Sequence, residues 1–334
     1  MTAMAVREHG AARRSAARDV ADSGIGSVLL ASEHATETDR ARRAVRAAGW
    51  PLLSVGPDRF PLPTLAPELR RLARDLERRP GFCVVRGLPT EGLGPSDRRL
   101  VLWSLGQHLG LPVPQDVAGR MLRTVGPDGT EFHTGGSDVV ALMPLAEART
   151  VSLVNAGEVY AEVLGRRPDL APRLFEPFHL DRRGDQQPGE APYRSVPLAA
   201  WSDGRLSLRH DRAAVEAGHA HPGAPRLSRD EIALLDLVDE VAASPALRHD
   251  VRLRPTDVLL VNNHEALHRI GPADPPSRSG AGLLRLWLTM LQGRRLPAGY
   301  TWPTPAYGGG EARGGVTPRD LIDQAGRPPE LAHH

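Results

Sequence analysis

The chain has 334 residues, 40% of them hydrophobic and 25% charged, which is enough to bury the core of one large domain or two small ones. All 42 basic residues are arginine and the formal charge is only +2, so no basic stripe points to nucleic acid and lysine-based Schiff-base chemistry is excluded. The single cysteine, Cys83, excludes an internal disulfide and a cysteine-based zinc site.

Taken in chain order, the apolar pattern predicts helices and strands in alternation. Residues 1–45 are rich in Ala, Arg and Asp without a sustained apolar repeat, and we expect a flexible N-terminal segment there, either partly disordered or loosely helical. Helices are predicted over residues 65–78, 96–106, 169–175 and 230–243, and strands over 82–85, 139–143, 150–154, 257–261 and 283–290. This order favours a mixed α+β fold with a jelly-roll core in residues 46–300.

Two segments fall outside these elements. Residues 181–192 contain Gly and Pro and are predicted to form a loop that is long enough to cover a site. Residues 301–334 form a Gly/Pro-rich C-terminal tail. No apolar run reaches the length of a membrane span and no secretory leader is visible, so we expect a cytoplasmic protein.

The most informative segment is residues 132–138, which read Phe-His-Thr-Gly-Gly-Ser-Asp. A non-haem iron(II) centre is typically held by two His and one Asp or Glu, which leaves coordination positions open. In the usual arrangement the carboxylate follows the first His by two residues and the second His comes more than a hundred residues later. His133 and His268 fit the two histidine places, but Gly135 stands at the place of the carboxylate.

A second motif overlaps the later histidine. Residues 264–268 read His-Glu-Ala-Leu-His, which matches the H-E-x-x-H of zinc proteases. That chemistry requires both histidines on one face of a helix. Here the segment directly follows a predicted strand, so we do not expect a protease.

Six segments together resemble the TauD/TfdA (taurine dioxygenase-like, clavaminate synthase-like) family of iron(II)/2-oxoglutarate oxygenases. The resemblance extends from about Trp50 to about Leu296. The six segments, in the order of the family, are residues 80–89, 109–115, 132–138, 203–209, 254–263 and 283–288. The resemblance implies a double-stranded β-helix with helices packed outside it, with Fe(II) and 2-oxoglutarate as cofactors and His133 and His268 as metal ligands.

The chain departs from the family pattern at two positions that concern cofactors. Gly135 replaces the ligand Asp, and Ala281 replaces an Arg that in relatives grips the distal carboxylate of 2-oxoglutarate. Arg278 or Arg285 could serve instead, because a buried carboxylate needs a fixed cationic partner. Arg285 also matches a family Arg that faces an anionic substrate.

Gly135 leaves three interpretations open. In halogenases of this superfamily the carboxylate position is Ala or Gly and a halide takes the vacated place, so Gly135 marks a candidate chloride site. A two-histidine site could instead still hydroxylate. The third interpretation is a protein that has lost its metal chemistry. Asn262 and Asn263 lie close to His268 in sequence. We expect them to orient the backbone near the site, and they are also the second-choice candidates for substrate binding.

The sequence therefore predicts an atypical oxygenase of specialised metabolism, with halogenation or another atypical oxidation favoured over plain hydroxylation. We expect its partner to be a small polar, amino-acid-like metabolite, either free or attached to a carrier, and neither nucleic acid nor membrane. Oligomeric state is left open by the sequence.

Overall fold

A computed structural model describes residues 18–19, 26–78, 80–126, 131–273, 282–305 and 311–320. The helices of these residues are α1 (Ser32–Ala48), α2 (Leu65–Asp75), α3 (Pro95–Leu109), α4 (Ala156–Arg166), α5 (Arg212–Ala220) and α6 (Arg229–Ala243), with short 3-10 helices at Leu52–Ser54 and Ala171–Phe175.

The strands are short and are spread over the whole described chain. They are β1 (Arg18–Asp19), β2 (Ser27–Leu29), β3 (Phe82–Arg86), β4 (Leu111–Pro112), β5 (Leu122–Val125), β6 (Val139–Pro144), β7 (Arg149–Asn155), β8 (Pro177–Asp181), β9 (Tyr193–Pro197), β10 (Ala199–Ser202), β11 (Arg205–Leu208), β12 (His249–Leu253), β13 (Val258–Asn262), β14 (Ala266–Ala273), β15 (Leu283–Thr289), β16 (Pro303–Pro305) and β17 (Glu311–Arg313).

Two sheets form the central barrel. One has the order β2-β3-β13-β6-β15-β4, with β5 also paired to β15, and the other has the order β1-β12-β7-β14. All pairs are antiparallel except β2–β3 and β1–β12. Neighbouring strands are distant in sequence, which is typical of a jelly roll. The predicted mixed α+β jelly roll is confirmed.

The space between the two sheets is filled by apolar side chains from both. Strands β6 and β13 are buried along their whole length, so they read in the sequence as unbroken apolar runs rather than as alternating ones. Val140 and Leu259 from one sheet and Val151 and Leu153 from the other belong to this core, and each is completely buried. This layer holds β6, β13, β14 and β15 in place, and the candidate site lies on these strands and the loops beside them.

Helices cover both outer faces. Helices α1, α2 and α3 pack with the outer side of the larger sheet around Trp103 and Leu286, whereas α4, α5 and α6 share a separate core with residues of β7 and β14. Helix α6 begins as the sequence predicts, because Ser228 and Glu231 form a capping box. In the described residues, no helix is both long enough and apolar enough to cross a bilayer.

The N-terminal segment differs from the expected flexible stretch, because part of it forms α1. The helix buries only a narrow strip on one side, including Ala41 and Val45, which is too few apolar residues for the periodicity to stand out. Glu37 lies on the same buried side and is 5% exposed. Its carboxylate accepts hydrogen bonds from the Thr64 amide (2.9 Å), the Thr64 hydroxyl (2.9 Å) and the Leu65 amide (3.0 Å), so α1 caps the start of α2.

Replacement of this capping carboxylate is expected to destabilise the fold. Glu37→Ala removes three hydrogen bonds and leaves buried donors unpaired, so we expect a loss of about 2–3 kcal/mol of unfolding free energy. Arg40→Ala, on the exposed side of the same helix, should change stability by less than about 0.5 kcal/mol. Urea unfolding of the three proteins measures this, and equal stability of Glu37→Ala and wild type would show that α1 does not brace α2.

Candidate metal and substrate site

His133 and His268 meet although 135 positions separate them in the sequence. Each donates its backbone amide to the backbone carbonyl of the other, at 3.0 Å from His133 and 2.9 Å from His268. His268 lies in β14 and is 1% exposed, and His133 continues the sheet beyond β14 as an isolated bridge. The two imidazole centroids are 4.5 Å apart.

These two imidazoles fit a shared metal ion. Nitrogens bound about 2.1 Å from one metal place the ring centroids roughly 4.5–5 Å apart. Burial, together with the nearby charges of His133 and Arg285, holds the pKa of His268 well below its usual value, and the neutral form is the one that binds metal. Its Nδ1 is buried and has no hydrogen-bond partner in the described residues. Those residues contain no cluster of three His, Cys, Asp or Glu that could complete the site.

The position of the missing carboxylate is filled by the side chain of Asn263. A Cβ atom at Gly135 would lie 2.8 Å from Asn263 Nδ2 and 3.2 Å from its Oδ1, so the Asn263 amide would have to shift to admit a side chain there. The amide group is itself held: Oδ1 accepts from the Gly135 amide at 2.8 Å and Nδ2 donates to the Ser137 carbonyl at 2.9 Å. The Asn263 backbone amide donates to the Asp138 carbonyl at 2.9 Å, so Asn263 clamps residues 135–138.

Asp138, the nearest carboxylate after Gly135, has other partners. Its oxygens accept from His264 Nε2 (2.9 Å), Arg313 Nε (2.9 Å) and the Met290 amide (2.8 Å). Burial opposes ionisation, but the hydrogen bond from His264 and the charge of Arg313 outweigh it and hold the pKa of Asp138 below its usual value. Asp138 is therefore a structural anion that anchors the end of the loop.

The protease-like motif does not form a helix. His264 contacts Asp138, Glu265 accepts from Arg294 Nη2 at 2.5 Å, and strand β14 begins at Ala266. The segment therefore lacks the helix on which a zinc-protease site depends.

The remaining predicted site residues lie in different surroundings. Asn262 is 1% exposed, and its side chain donates to the Leu76 carbonyl (3.0 Å) and accepts from the His264 amide (2.9 Å). Asn262 lines neither of the cavities next to the histidines, so its contacts give the expected substrate role no support. Arg285 does line the main cavity, donates from Nε to Gln115 Oε1 at 2.8 Å and stacks 5.0 Å from the Trp287 ring centre. Arg278 and Ala281 lie outside the described residues.

Two cavities adjoin this cluster. The larger, about 290 Å³, is lined by His133, Gly135, Arg285 and Trp287, and by residues 180–183 of β8 and the loop that follows it. The smaller, about 10 Å³, lies between Gly135 and Asn263. A cavity of the smaller size holds about one water molecule, whereas the larger one is close to the size of a small-metabolite pocket.

A family-wide sequence profile described as "Taurine catabolism dioxygenase TauD, TfdA family" matches residues 47–287. The match covers more than half of the chain and contains both histidines. The chain belongs to the TauD, TfdA family. The family resemblance noted in the sequence is thereby confirmed.

Relatives and solved structures agree with this assignment. FR-33289 synthase from Streptomyces rubellomurinus is 26% identical in an alignment 303 residues long that covers 83% of this chain and 89% of the relative. An asparagine oxygenase, solved with Fe(II), 2S,3S-3-hydroxyasparagine and succinate, covers 79% of this chain and 93% of its own, with a TM-score of 0.54 and 20% identity. The non-haem iron oxygenase OrfP, solved with Fe, succinate and (3S)-hydroxy-L-Arg, has a TM-score of 0.53 at 18% identity, with coverages of 79% and 94%.

The C-terminal segment of this TauD, TfdA family protein contributes to the site, which the sequence did not suggest. Strands β16 and β17 pair as a hairpin, after which the Gly315 amide donates to the Gly136 carbonyl at 2.6 Å. Gly314 has φ +76 and packs so closely that a Cβ atom would lie 2.4 Å from the Gly136 carbonyl. With Arg313 bound to Asp138, this hairpin closes over residues 135–138. The adjacent glycines Gly314 and Gly315 were the available signal in the sequence for this close packing. Such a pair is equally typical of a linker.

The overlap at Gly135 makes a double-mutant cycle informative. We expect Gly135→Ala and Asn263→Ala each to destabilise the protein by about 1–3 kcal/mol, the first by overlap with Asn263 and the second by leaving the Gly135 amide unpaired. Because the double variant removes the overlap, the two losses should not add, with a coupling of at least about 0.5 kcal/mol. Urea unfolding measures all four proteins. Strictly additive losses would mean that the Asn263 amide does not occupy the space beside Gly135.

Proposed function

We propose that the chain is an iron(II)/2-oxoglutarate-type oxygenase that hydroxylates a C–H bond of a small polar, amino-acid-like metabolite. The observation that carries this proposal is the pairing of His133 and His268 at the wall of the 290 Å³ cavity in a TauD, TfdA family fold. Iron(II) and 2-oxoglutarate, when bound, would supply the activation of dioxygen.

Residues of the chain would bind the metal, position the loop and bind a carboxylate. His133 and His268 would hold the metal as neutral ligands, and the reciprocal backbone hydrogen bonds keep their rings at a fixed separation. Asn263 keeps residues 135–138 against the site without supplying a charge. Arg285 would bind a carboxylate, either of 2-oxoglutarate or of the substrate, because charge-assisted hydrogen bonds from a guanidinium to a carboxylate are stronger than neutral ones.

Several observations support a substrate of amino-acid size. The cavity has room for a small metabolite, and its lining alternates charged side chains with Trp287, Trp302 and Leu180. The solved structures of similar fold bind 3-hydroxyasparagine and 3-hydroxyarginine. A polar substrate with charged ends suits such a lining, because each charged group can be met by a fixed partner.

Halogenation is the second candidate function. Gly135 supplies no side chain, and the small cavity beside it is lined by two guanidinium groups, Arg209 and Arg313. A chloride ion is larger than water, however, and this space of about 10 Å³ holds about one water. Chloride would therefore need either a movement of the Asn263 side chain or a place in the larger cavity, which Gly135 also lines. Hydroxylation is placed first because the solved structures of similar fold hold hydroxylated amino acids.

Binding of iron and co-substrate tests the first proposal against a protein without metal chemistry. We expect anaerobic titration calorimetry to show one iron(II) site per chain, and 2-oxoglutarate binding only after iron is present. His268→Ala and His133→Ala should weaken iron binding by more than roughly 100-fold, since even the outer partners of metal ligands are worth 10–100-fold.

The matched control is His249→Ala, because His249 is a partly exposed histidine of β12 that lines neither cavity. Its iron affinity should equal that of wild type. Absence of iron binding to wild type would favour a non-catalytic protein on this fold, and iron binding without 2-oxoglutarate binding would mean that the chain uses another co-substrate.

Chloride dependence separates the two oxidative outcomes. Hydroxylation predicts that the visible spectrum of the anaerobic iron and 2-oxoglutarate complex is the same with and without chloride. Gly135→Asp in an Asn263→Ala background, where the overlap is relieved, should supply an anionic third ligand and tighten iron binding relative to Asn263→Ala alone. A chloride-dependent spectrum in wild type that this double variant loses would instead identify a halogenase.

A further inference from the structure

Arg209 is a half-buried cation with no ion pair in the described part of the chain. It follows β11 and lines both cavities. Its guanidinium carbon lies 4.8 Å from the Tyr300 ring centre and 4.7 Å from that of Trp302, and Nη2 donates to the Tyr300 carbonyl at 2.9 Å. Nη1 is buried without a hydrogen-bond partner, and no carboxylate of the described residues lies within 4.0 Å of the group.

The other arginines of β8, β9, α5 and the connecting loops around the cavity are neutralised by acids. The pairs are Arg182 with Glu190, Arg183 with Asp211, Arg194 with Asp185, and Arg212 with Glu216, Asp236 and Asp239. Arg209 is therefore the exception among these five guanidinium groups. Its two aromatic neighbours shield it from water and accept its charge only through their ring faces.

Arg209 stays charged in this position, because the pKa of a guanidinium remains high in proteins. Burial and the neighbouring Arg194 lower the pKa of Arg209, and Tyr300 and Asp211 only partly oppose this effect. An anion bound beside Arg209 would offset the cost of burying the charge. A second unpaired donor lines the same cavity, since Trp287 Nε1 is also buried without a partner in the described residues.

We propose that Arg209 forms a subsite for a compact oxyanion, such as a carboxylate, sulfate-like or phosphate-like group, and that this group belongs to the substrate. Arg194, stacked 4.6 Å from the same Trp302 ring, adds to the positive potential there. The assignment of the anion to the substrate rests on the proposed oxygenase function. The existence of the anion subsite does not, because it needs no metal.

The experiment uses the full chain without metal, in a buffer free of chloride, with inorganic phosphate, sulfate and acetate as separate probes. We expect at least one probe to bind wild type at one site. Arg209→Met keeps the apolar stem but removes the donors, so it should weaken that binding by about 10–100-fold. Arg209→Lys should recover part of it. Arg183→Met, which removes a paired cation of the same cavity, should leave the affinity close to that of wild type.

The signal of the Trp287 indole N–H, assigned with Trp287→Phe, gives a readout that needs no Arg209 variant. It should shift when the bound probe is added to wild type. The subsite is overturned if no probe binds wild type, if the Trp287 signal is unmoved, or if Arg209→Met lowers only the unfolding midpoint and binds the probe as wild type does.

The last part of the experiment tests whether the anion at Arg209 belongs to the substrate or to 2-oxoglutarate. Iron(II) and 2-oxoglutarate are added anaerobically to protein that holds the probe. Retention of the probe supports a substrate group at Arg209. Displacement of the probe by 2-oxoglutarate would assign Arg209 to the co-substrate and overturn the substrate assignment. Failure of iron to bind would count against the oxygenase proposal alone.

Discussion

The site depends on the pair of backbone hydrogen bonds that His133 and His268 exchange. A sheet pairing of this kind fixes two Cα atoms at a set separation, so the two imidazoles stay together whatever stands at Gly135. The absence of a carboxylate at residue 135 therefore leaves the two proposed metal ligands together. The strands that carry the pair are held by the apolar core between the two sheets, and this core does not involve any residue of the cofactor chemistry.

Gly135 and Asn263 are best understood together. In a facial triad, the residue two places after the first histidine supplies both a ligand and a negative charge. Here the same space contains a neutral amide that hydrogen-bonds to the loop on both sides. The site thus lacks one negative charge, and Arg209 and Arg285 are among the arginines that line the adjoining cavity. A lower negative charge at the metal and a positive cavity favour the binding of anions as substrate, co-substrate or halide.

Much of the fold was predictable from the sequence because buried strands and amphipathic helices carry a local signal. Strands β6, β7, β13 and β15 lie within a residue or two of their predicted bounds, and α6 begins at its capping box. Helix α3 begins one residue before the predicted Ser96, with Gly94 as its cap and Pro95 as its first residue, a pattern that is favourable at a helix start. Helix α1 could not be assigned bounds from the sequence, because its buried side has few apolar residues and is completed by Glu37.

The site was only partly predictable for a different reason. His133 and His268 stand in a family-wide order, so their meeting could be anticipated. The clamp by Asn263, the anchoring of Asp138 by Arg313 and the isolation of Arg209 are contacts between residues far apart in the chain. Amide and guanidinium groups carry no periodicity that would reveal their partners. Asn262 and Asn263 are adjacent and identical in type, so the sequence cannot tell their roles apart. In the structure the Asn262 side chain donates to the Leu76 carbonyl, whereas the Asn263 side chain donates to the Ser137 carbonyl of the loop.

The central claim is that two histidines and no carboxylate hold the metal while Asn263 keeps its place beside Gly135. A crystal structure of the protein prepared anaerobically with iron(II) tests this most directly. The account predicts one iron ion bound to both His133 and His268, with the hydrogen bond from the Gly135 amide to Asn263 Oδ1 intact. Iron bound elsewhere, or bound through Asp138 after its contacts with His264 and Arg313 have broken, would contradict it.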